Sequence, residues 1–245
     1  MRHLILAGLI GVLVGAVPAV LPAHAQVSEE QLVNSETFMS AHPDLRFRHL
    51  GLQAREEGKQ ERAFVFFRRA ARYADKVSQA MVAEMLWNGE GVAQDRALGY
   101  AWMDLAAERA YPGFLTLRER YWKELDAQQR EEAVRRGDAV YAEYGDAAAR
   151  PRIDAALRRA RSRMTGSRTG FTGTLQVFIA GPNGQMLSID GSRFYDPKYW
   201  DPDLYQAWHD AVWMQLRPGR VDIGDVEPLR DVEPLRPDET PDDAD

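Results

Sequence analysis

The chain has no cysteine among its 245 residues. This absence excludes disulfide bonds, thiolate metal sites, cysteine nucleophiles and a lipid-modified N-terminal cysteine. Histidine is also scarce: beyond residue 25 only His42, His49 and His209 occur, and the H-E-x-x-H zinc motif is missing. The G-x-S-x-G nucleophile elbow and a phosphate-cradling glycine loop are missing as well. The sequence therefore predicts no catalytic residue, no metal site and no cofactor.

One group of side chains leaves an enzymatic alternative open. Asp201, Asp203 and Asp210 lie near Trp208 and His209 in the sequence, where two such groups can pair as acid and base. Helix capping and ordinary surface charge explain the same aspartates more simply. We therefore predict a protein without enzymatic activity.

The first 25 residues have the pattern of a secretory signal peptide. Arg2 precedes an uncharged run from Leu4 to Leu21, and Ala23 and Ala25 supply the small residues that a signal peptidase accepts. Cleavage is expected before Gln26, which predicts a periplasmic or secreted protein that is not integral to the membrane. The alternative is an uncleaved anchor, since the apolar run is almost long enough to span a bilayer.

Length and composition are those of a modest globular protein. At 245 residues, with 45% hydrophobic and 28% charged residues, the chain can bury one good core and a small satellite unit. After the signal peptide at 1–25, three units are predicted. They are a helical domain at 26–165, a β-hairpin with an aromatic-rich helix at 166–219, and an acidic tail at 220–245.

Residues 80–107 contain the most specific pattern in the chain. One helical pattern stops at Gly89, and a second starts after Asp95. Gly89 and Gly91 suit backbone positions where a side chain would clash, and Asp95 suits the cap of the next helix. Val92 can fill the gap between the helices. Two short antiparallel helices joined by a tight loop are therefore predicted.

This segment resembles the Sel-like repeat (SLR) family, whose members are relatives of the tetratricopeptide repeats. The family pattern has G-x-G-V, then a spaced Asp, a Trp and an Ala-Ala pair. The matching positions are Gly89, Gly91, Val92, Asp95, Trp102, Ala106 and Ala107. The chain departs from the pattern in the first helix, where Val82, Ala83 and Leu86 replace the usual Leu, Gly and Tyr.

The resemblance implies a right-handed superhelix of helical hairpins with a concave surface for partners, used in adaptor and assembly roles. A weaker hairpin precedes the motif: an apolar face at Leu45, Leu50 and Ala54 is broken by Gly58, and another face runs from Ala63 to Ala71. Two hairpins are fewer than the three or more repeats that usually stabilise a solenoid. Flanking helices are therefore expected to close the ends.

Three further helices are predicted before residue 165. Pro112 starts one, Asp126 caps a second, and Pro151 fits the first turn of a third. The third helix is rich in arginine, including Arg152, Arg158, Arg159, Arg161 and Arg163. Two interpretations are open: a solvated helix face, or a surface for an acidic protein segment, lipid phosphate or anionic envelope polymer. Nucleic acid is not expected, because the chain has a net charge of −6.

Beyond residue 166 the pattern changes to a β-hairpin and then a helix that begins at Pro202. Aromatic residues crowd this segment, and most are expected to be core that joins the hairpin to the repeats. Tyr199 and Trp200 are the expected exceptions because they are placed in a loop, and they form a predicted partner surface. The alternative function is a polysaccharide-binding accessory protein or hydrolytic enzyme of the envelope that uses these aromatic residues.

The C-terminal tail is strongly acidic. Residues 222–245 carry ten acids and two bases, which gives a net charge of −8. The hexapeptide DVEPLR occurs twice in tandem between Asp225 and Arg236, and is either a repeated partner motif or a neutral duplication. Regular prolines and few apolar residues predict a segment without stable structure. Contact between this tail and the arginine-rich helix is a further hypothesis.

Together these patterns predict a mainly α protein of antiparallel helical hairpins, in an SLR or tetratricopeptide-like solenoid. Flanking helices and a small C-terminal β-hairpin plus helix complete the predicted fold. The predicted function is non-enzymatic binding of a protein or peptide, in an adaptor or envelope-assembly role.

Overall fold

A computed structural model describes residues 27–164, 175–180 and 185–215. The predicted signal peptide, the hairpin turn at 181–184 and the acidic tail lie outside these residues. No helix within the described ranges is both long and apolar enough to cross a membrane. The fold is mainly α with one small antiparallel sheet, which confirms the predicted fold class.

The first half of the described chain contains two antiparallel helical hairpins. Its helices are α1 (Glu29–Val33), α2 (Glu36–Met39), α3 (Pro43–Glu56), α4 (Gln60–Ala71), α5 (Lys76–Asn88) and α6 (Arg96–Ala106). The pairs α3–α4 and α5–α6 are the predicted hairpins, and they follow one another as two helical hairpins in series. Four of these helices start at a side-chain cap, because Ser28, Ser35, Asp75 and Asp95 each accept a hydrogen bond from a first-turn amide.

Three further helices follow a 3₁₀ turn at Ala107–Arg109. They are α7 (Pro112–Glu124), α8 (Ala127–Tyr144) and α9 (Asp146–Met164). The prediction that Pro151 lies in the first turn of the third helix is wrong, because α9 begins at Asp146 and Pro151 is inside it. The Asp-Ala-Ala-Ala run from 146 favours an earlier start, and Asp146 suits the positive end of the helix dipole. Pro151 has no amide hydrogen, so it cannot donate to the carbonyl oxygen of Ala147.

A β-hairpin and three helices complete the described chain. The elements are β1 (Gln176–Ala180), β2 (Met186–Asp190), α10 (Gly191–Phe194), α11 (Pro197–Trp200) and α12 (Pro202–Trp213). The strands pair with Ile179 opposite Leu187 and Val177 opposite Ile189. Ile179 and Ile189 are buried, because side chains alternate between the two faces of a strand and one face packs on the helices.

The larger of the two main cores lies between α4 and α8. It contains buried side chains from both hairpins, among them Phe67, Trp87, Trp102 and Leu105, together with Tyr144 from α8. Ring centroids of Trp102 and Tyr144 are 4.5 Å apart. The flanking helix α8 therefore shields the second hairpin, as expected for a solenoid with few repeats.

The second core joins the beginning of the described chain to its end. Phe38 of α2 packs edge-on against Phe194 and Tyr199. The two ring nitrogens of buried His42 lie 2.8 Å from the carbonyl oxygen of Phe38 and 2.9 Å from that of Tyr199. The predicted units at 26–165 and 166–219 therefore share a core, and residue 166 does not separate two independent cores.

Candidate peptide-binding groove

The loop after α5 holds the second hairpin against the first. Gly89 ends α5 in the left-handed region at φ +77°, and Gly91 has φ +67°. A Cβ atom on Gly91 would lie 2.3 Å from the carbonyl carbon of Gln60, at the start of α4. The backbone of the loop therefore packs on the preceding hairpin at a distance that only glycine permits.

The other motif residues also lie within the fold. One carboxylate oxygen of Asp95 accepts the amide of Leu98 at 2.9 Å, and the other accepts Arg136 of α8 at 2.8 Å. Val92, Trp102 and Ala106 pack in or against the larger core, and Ala107 is buried. None of the motif residues lines the groove described next.

A surface groove of about 540 Å³ lies between α5 and α7, with α6 beneath it. Met81 and Trp87 of α5, Met103 of α6, and Phe114 and Leu117 of α7 contribute to its lining. Aromatic rings provide large contact areas, and flexible thioethers adapt to differently shaped partners. The volume lies within the range of about 300 to 1,000 Å³ that is typical of ligand pockets.

The floor of the groove is preformed by a pair of stacked rings. Centroids of Trp87 and Tyr121 are 3.9 Å apart, with 14° between the ring planes. The guanidinium carbon of Arg96 lies 5.0 Å from the Trp87 ring. Burial raises the pKa of the Tyr121 hydroxyl above its ordinary value, so the hydroxyl is neutral at physiological pH. The two rings are only 6% and 2% exposed, so they support the floor of the groove and leave little of their own surface for a partner.

The rim of the groove carries charges of both signs. Glu84 of α5 lines the groove, and it pairs at 3.1 Å with Arg55 of α3, which lies outside the lining. On the α7 side, Arg120 and Glu124 are exposed and also line the groove. An apolar centre surrounded by a polar rim is the usual anatomy of a protein interface.

A separate polar cluster is buried between α3, α5 and α12. Tyr205 donates a hydrogen bond to Asp44 at 2.7 Å, and Arg48 pairs with Asp75 at 2.8 Å. Nε2 of His209 lies 3.7 Å from Oδ2 of Asp44. Burial, with the nearby Asp75 carboxylate, raises the pKa of Asp44 to about 6, and burial lowers the pKa of His209 well below its ordinary value. A cavity of about 20 Å³ beside the cluster has room for roughly one water molecule.

The aspartates considered for acid–base chemistry take part in structural contacts. Asp201 caps α12 by accepting the amides of Asp203 and Leu204. Asp210 accepts hydrogen bonds from Tyr111 and Gln206. Across residues 27–164, 175–180 and 185–215, no group of three or more His, Asp or Glu side chains is placed to hold a metal ion.

Tyr199 and Trp200 do not form a partner surface, and that prediction is wrong. They lie in α11, and each is only 2% exposed. Trp200 donates to the carbonyl oxygen of Phe194 at 2.7 Å, and Tyr199 donates to Glu29 at 2.9 Å. Both rings also pack against Phe38, so no exposed platform for stacking a sugar exists at this pair.

The arginine-rich helix α9 is divided between structural and exposed side chains. Arg152 is half-buried and donates to the carbonyl oxygens of Arg72 at 3.2 Å and Glu143 at 2.6 Å. It therefore fastens α9 to α4 and α8 and is not a free surface residue. Arg158, Arg159 and Arg161 are exposed, whereas the side chain of Arg163 lies outside the described part.

The groove residues were visible in the sequence only as apolar helix faces. Phe114, Leu117 and Tyr121 recur at helical spacing in α7, and Met81 and Trp87 recur in α5. Periodicity identifies such a face but does not tell whether another helix covers it. The open side of the groove depends on how α5, α6 and α7 are arranged, and no local pattern gives that arrangement.

No family model matches the chain, and no curated protein matches it. Among solved structures, the chain is similar to a protective antigen present in uropathogenic Escherichia coli strains, whose crystal structure displays an SLR fold. The similarity has 22% sequence identity and a TM-score of 0.40, and it covers 55% of this chain. The chain spans 28% of the length of that antigen.

Proposed function

We propose that the protein binds a segment of another protein in the groove between α5 and α7, and that it has no enzymatic activity. The observation that carries this proposal is the preformed apolar groove with a rim of mixed charge. Covering Met81, Phe114 and Leu117 removes apolar surface from water, which stabilises a complex by about 25 cal/mol per Å² before the costs of association.

The chemistry of the rim defines the kind of segment that fits. Exposed Glu124 favours a basic residue, and exposed Arg120 favours an acidic one. Leu, Met or aromatic side chains between these charges suit the lining. The partner is therefore an apolar peptide segment flanked by charges of opposite sign, and not a uniformly charged polymer.

The setting of this activity is part of the proposal. The signal-type pattern of residues 1–25 supports a periplasmic or secreted protein. An exported helical-repeat protein with a peptide groove suits an adaptor or an envelope-assembly role. The partner in that role is another exported protein.

Peptide display on the immobilised protein tests the proposed function. We expect enrichment of segments with apolar residues between charges, and we expect the selected peptides to bind in solution by calorimetry. A Leu117→Glu variant is expected to lose this binding by at least tenfold, because it places a charge in the apolar lining.

Val134→Glu is the matched control, because Val134 is a 64% exposed apolar residue on α8, outside the groove. It introduces the same charge and is expected to bind the peptides like the parent. Equal affinity in both variants, with both melting like the parent, contradicts the groove as the binding site.

A further inference from the structure

Guanidinium and aromatic groups alternate along the outer face of α3 and α4. The guanidinium carbon of Arg62 lies 5.4 Å from the Phe66 ring, and that of Arg69 lies 5.9 Å from Phe66 and 5.8 Å from Phe47. Phe47 also stacks on Tyr73, with centroids 6.5 Å apart. We call these five residues the arginine–aromatic strip.

Helix α9 lies beside the arginine–aromatic strip. Tyr73 packs against the cluster formed by Ile153 and Leu157 of α9 with Tyr205. Arg152 of the same helix bonds to the carbonyl oxygen of Arg72. Arg159 follows Arg152 by about two helical turns and lies on the same side of α9. Arg159 is therefore carried by a helix that packs beside the strip.

Three arginines at this surface form no close ion pair within the part of the chain that the structure describes. Arg62, Arg69 and Arg159 are exposed, and they form no ion pair with any other residue of the described ranges. A guanidinium group held over a ring keeps its N–H groups directed outward, where they can bind a carboxylate in bidentate fashion. Half-buried Phe47 and Phe66 add apolar surface between the charges. The chemistry suits an acidic polypeptide with apolar residues among its acids.

We propose that residues 222–245 of the same chain bind to the arginine–aromatic strip. This segment has a net charge of −8, from ten acids and two bases. Its tandem DVEPLR copies place Val and Leu between the carboxylates. The carboxylates pair with Arg62, Arg69 and Arg159, and the apolar side chains pack on Phe47 and Phe66.

The position of α12 makes this contact reachable. Tyr205 of α12 packs with Ile153 and Leu157 of α9, so the last described helix lies beside the helix that carries Arg159. The 30 residues from 216 to 245 span up to about 100 Å when extended. Tethering gives the segment an effective concentration of about a millimolar, at which individually weak surface ion pairs produce a populated contact.

The absence of cysteine allows a direct distance measurement on the full chain. Spin labels are attached at two introduced cysteines, Val65→Cys and Thr240→Cys. Val65 lies beside the strip and is 48% exposed, and Thr240 is in the acidic segment. We expect a short mean distance by pulsed electron resonance at low salt. It should lengthen by roughly 10 Å or more in about 0.5 M salt, because screening weakens exposed ion pairs.

Charge reversal separates this contact from general electrostatics. Arg62→Glu with Arg69→Glu is expected to lengthen the distance at low salt. Lys123→Glu with Arg135→Glu makes the same change of charge at two exposed basic residues outside both the strip and the groove, and is expected to leave the distance unchanged. Equal distances in both double variants overturn the proposal.

Two further measurements keep the test decisive. The first is a variant in which four aspartates of the acidic segment are changed to Asn: Asp225, Asp231, Asp238 and Asp242. This variant alters no described residue, and its label-to-label distance should be longer even if the arginine variant unfolds. Dilution of the labelled protein with an excess of unlabelled protein should leave the short distance intact. Loss of that distance on dilution assigns the contact to a second copy and overturns binding within one chain.

Discussion

Gly91 and Gln60 meet backbone to backbone, at the point where the loop of the second hairpin rests on the first. A Cβ atom on Gly91 would lie 2.3 Å from the carbonyl carbon of Gln60 and 2.5 Å from its oxygen. The glycine also has φ +67°, which disfavours any side chain. One position therefore links the turn between two helices to the packing between two hairpins.

Gly91→Val is expected to destabilise the protein by about 3 kcal/mol or more, from backbone strain together with a clash against a second backbone. Chemical denaturation measures this change. Gly58→Ala is the control, because Gly58 has φ +73° but no atom within 4 Å of an added Cβ. It isolates the cost of strain, about 1 kcal/mol. A smaller loss for Gly91→Val than for Gly58→Ala contradicts the close packing.

Removal of the Asp146 carboxylate is expected to cost about 3 to 5 kcal/mol. Asp146 binds Arg109 through two hydrogen bonds of 2.7 and 2.9 Å, and it lies 3.1 Å from Lys76, whose side chain is 1% exposed. Burial alone raises the pKa of Asp146, but the hydrogen bond from Arg109 and the charge of Lys76 outweigh it and lower that pKa. Asp146→Ala therefore leaves two largely buried cations with reduced compensation.

Glu143→Ala is the comparison for Asp146→Ala, measured by urea denaturation. Glu143 pairs with Arg72 at 2.7 Å, but the two side chains are 44% and 51% exposed. Water and salt screen such a pair, so we expect a loss of less than about 1 kcal/mol. Similar losses of unfolding free energy in the two variants would show that burial does not strengthen the ion pairs of Asp146.

The stability of the protein is expected to carry a pH-dependent contribution from Asp44. Its pKa is about 6 in the folded protein, against an ordinary value of 3.8. A raised pKa means that the contribution to stability is fully present below about pH 3.8 and is lost as the pH rises through about 6. Asp44→Asn removes this dependence while keeping a partner for Tyr205. Relative to the parent, the variant should gain about 1 to 2 kcal/mol between pH 5 and pH 8.

Parent and variant must be compared at each pH, because two buried histidines change the stability with pH in the opposite direction to Asp44. Burial lowers the pKa of both His42 and His209, so their contribution is lost as the pH falls below about 6.5. The contribution of His42 cancels in the difference between Asp44→Asn and the parent. His209 lies 3.7 Å from Asp44, so both proteins carry His209→Gln in this comparison. A difference in unfolding free energy that does not change with pH would rule out the raised pKa of Asp44.

The sequence was sufficient to locate the helices wherever local chemistry starts or stops them. Asp95, Pro112 and Asp126 each mark a helix start, and Gly89 marks an end. The helix start predicted from Pro151 was wrong, because the helix-favouring residues before Pro151 set the start of α9. A single proline is tolerated inside this helix. Local signals thus predicted which helices exist better than they predicted where each helix begins and ends.

Contacts between distant segments explain what the sequence did not reveal. Placement of Tyr199 and Trp200 in a loop suggested exposure, yet Phe38 packs on both from the other end of the described chain. The stacked floor of the groove joins Trp87 to Tyr121 on different helices. Tyr205 makes its buried hydrogen bond to Asp44 across 161 positions. Pairings of this kind follow from the packing of whole helices, which no window of local sequence contains.

The second core also dictates the order in which the molecule can form. The His42–Tyr199 contact closes 157 positions of chain, whereas the two hairpins close through neighbouring helices. Loop-closure entropy makes the short-range contacts form first. Phe38 consequently stays uncovered until residues near 200 have been synthesised, even when both hairpins are complete. The nascent chain therefore exposes the apolar side chain of Phe38 for most of its synthesis. Binding by a chaperone during this period would protect the chain from aggregation.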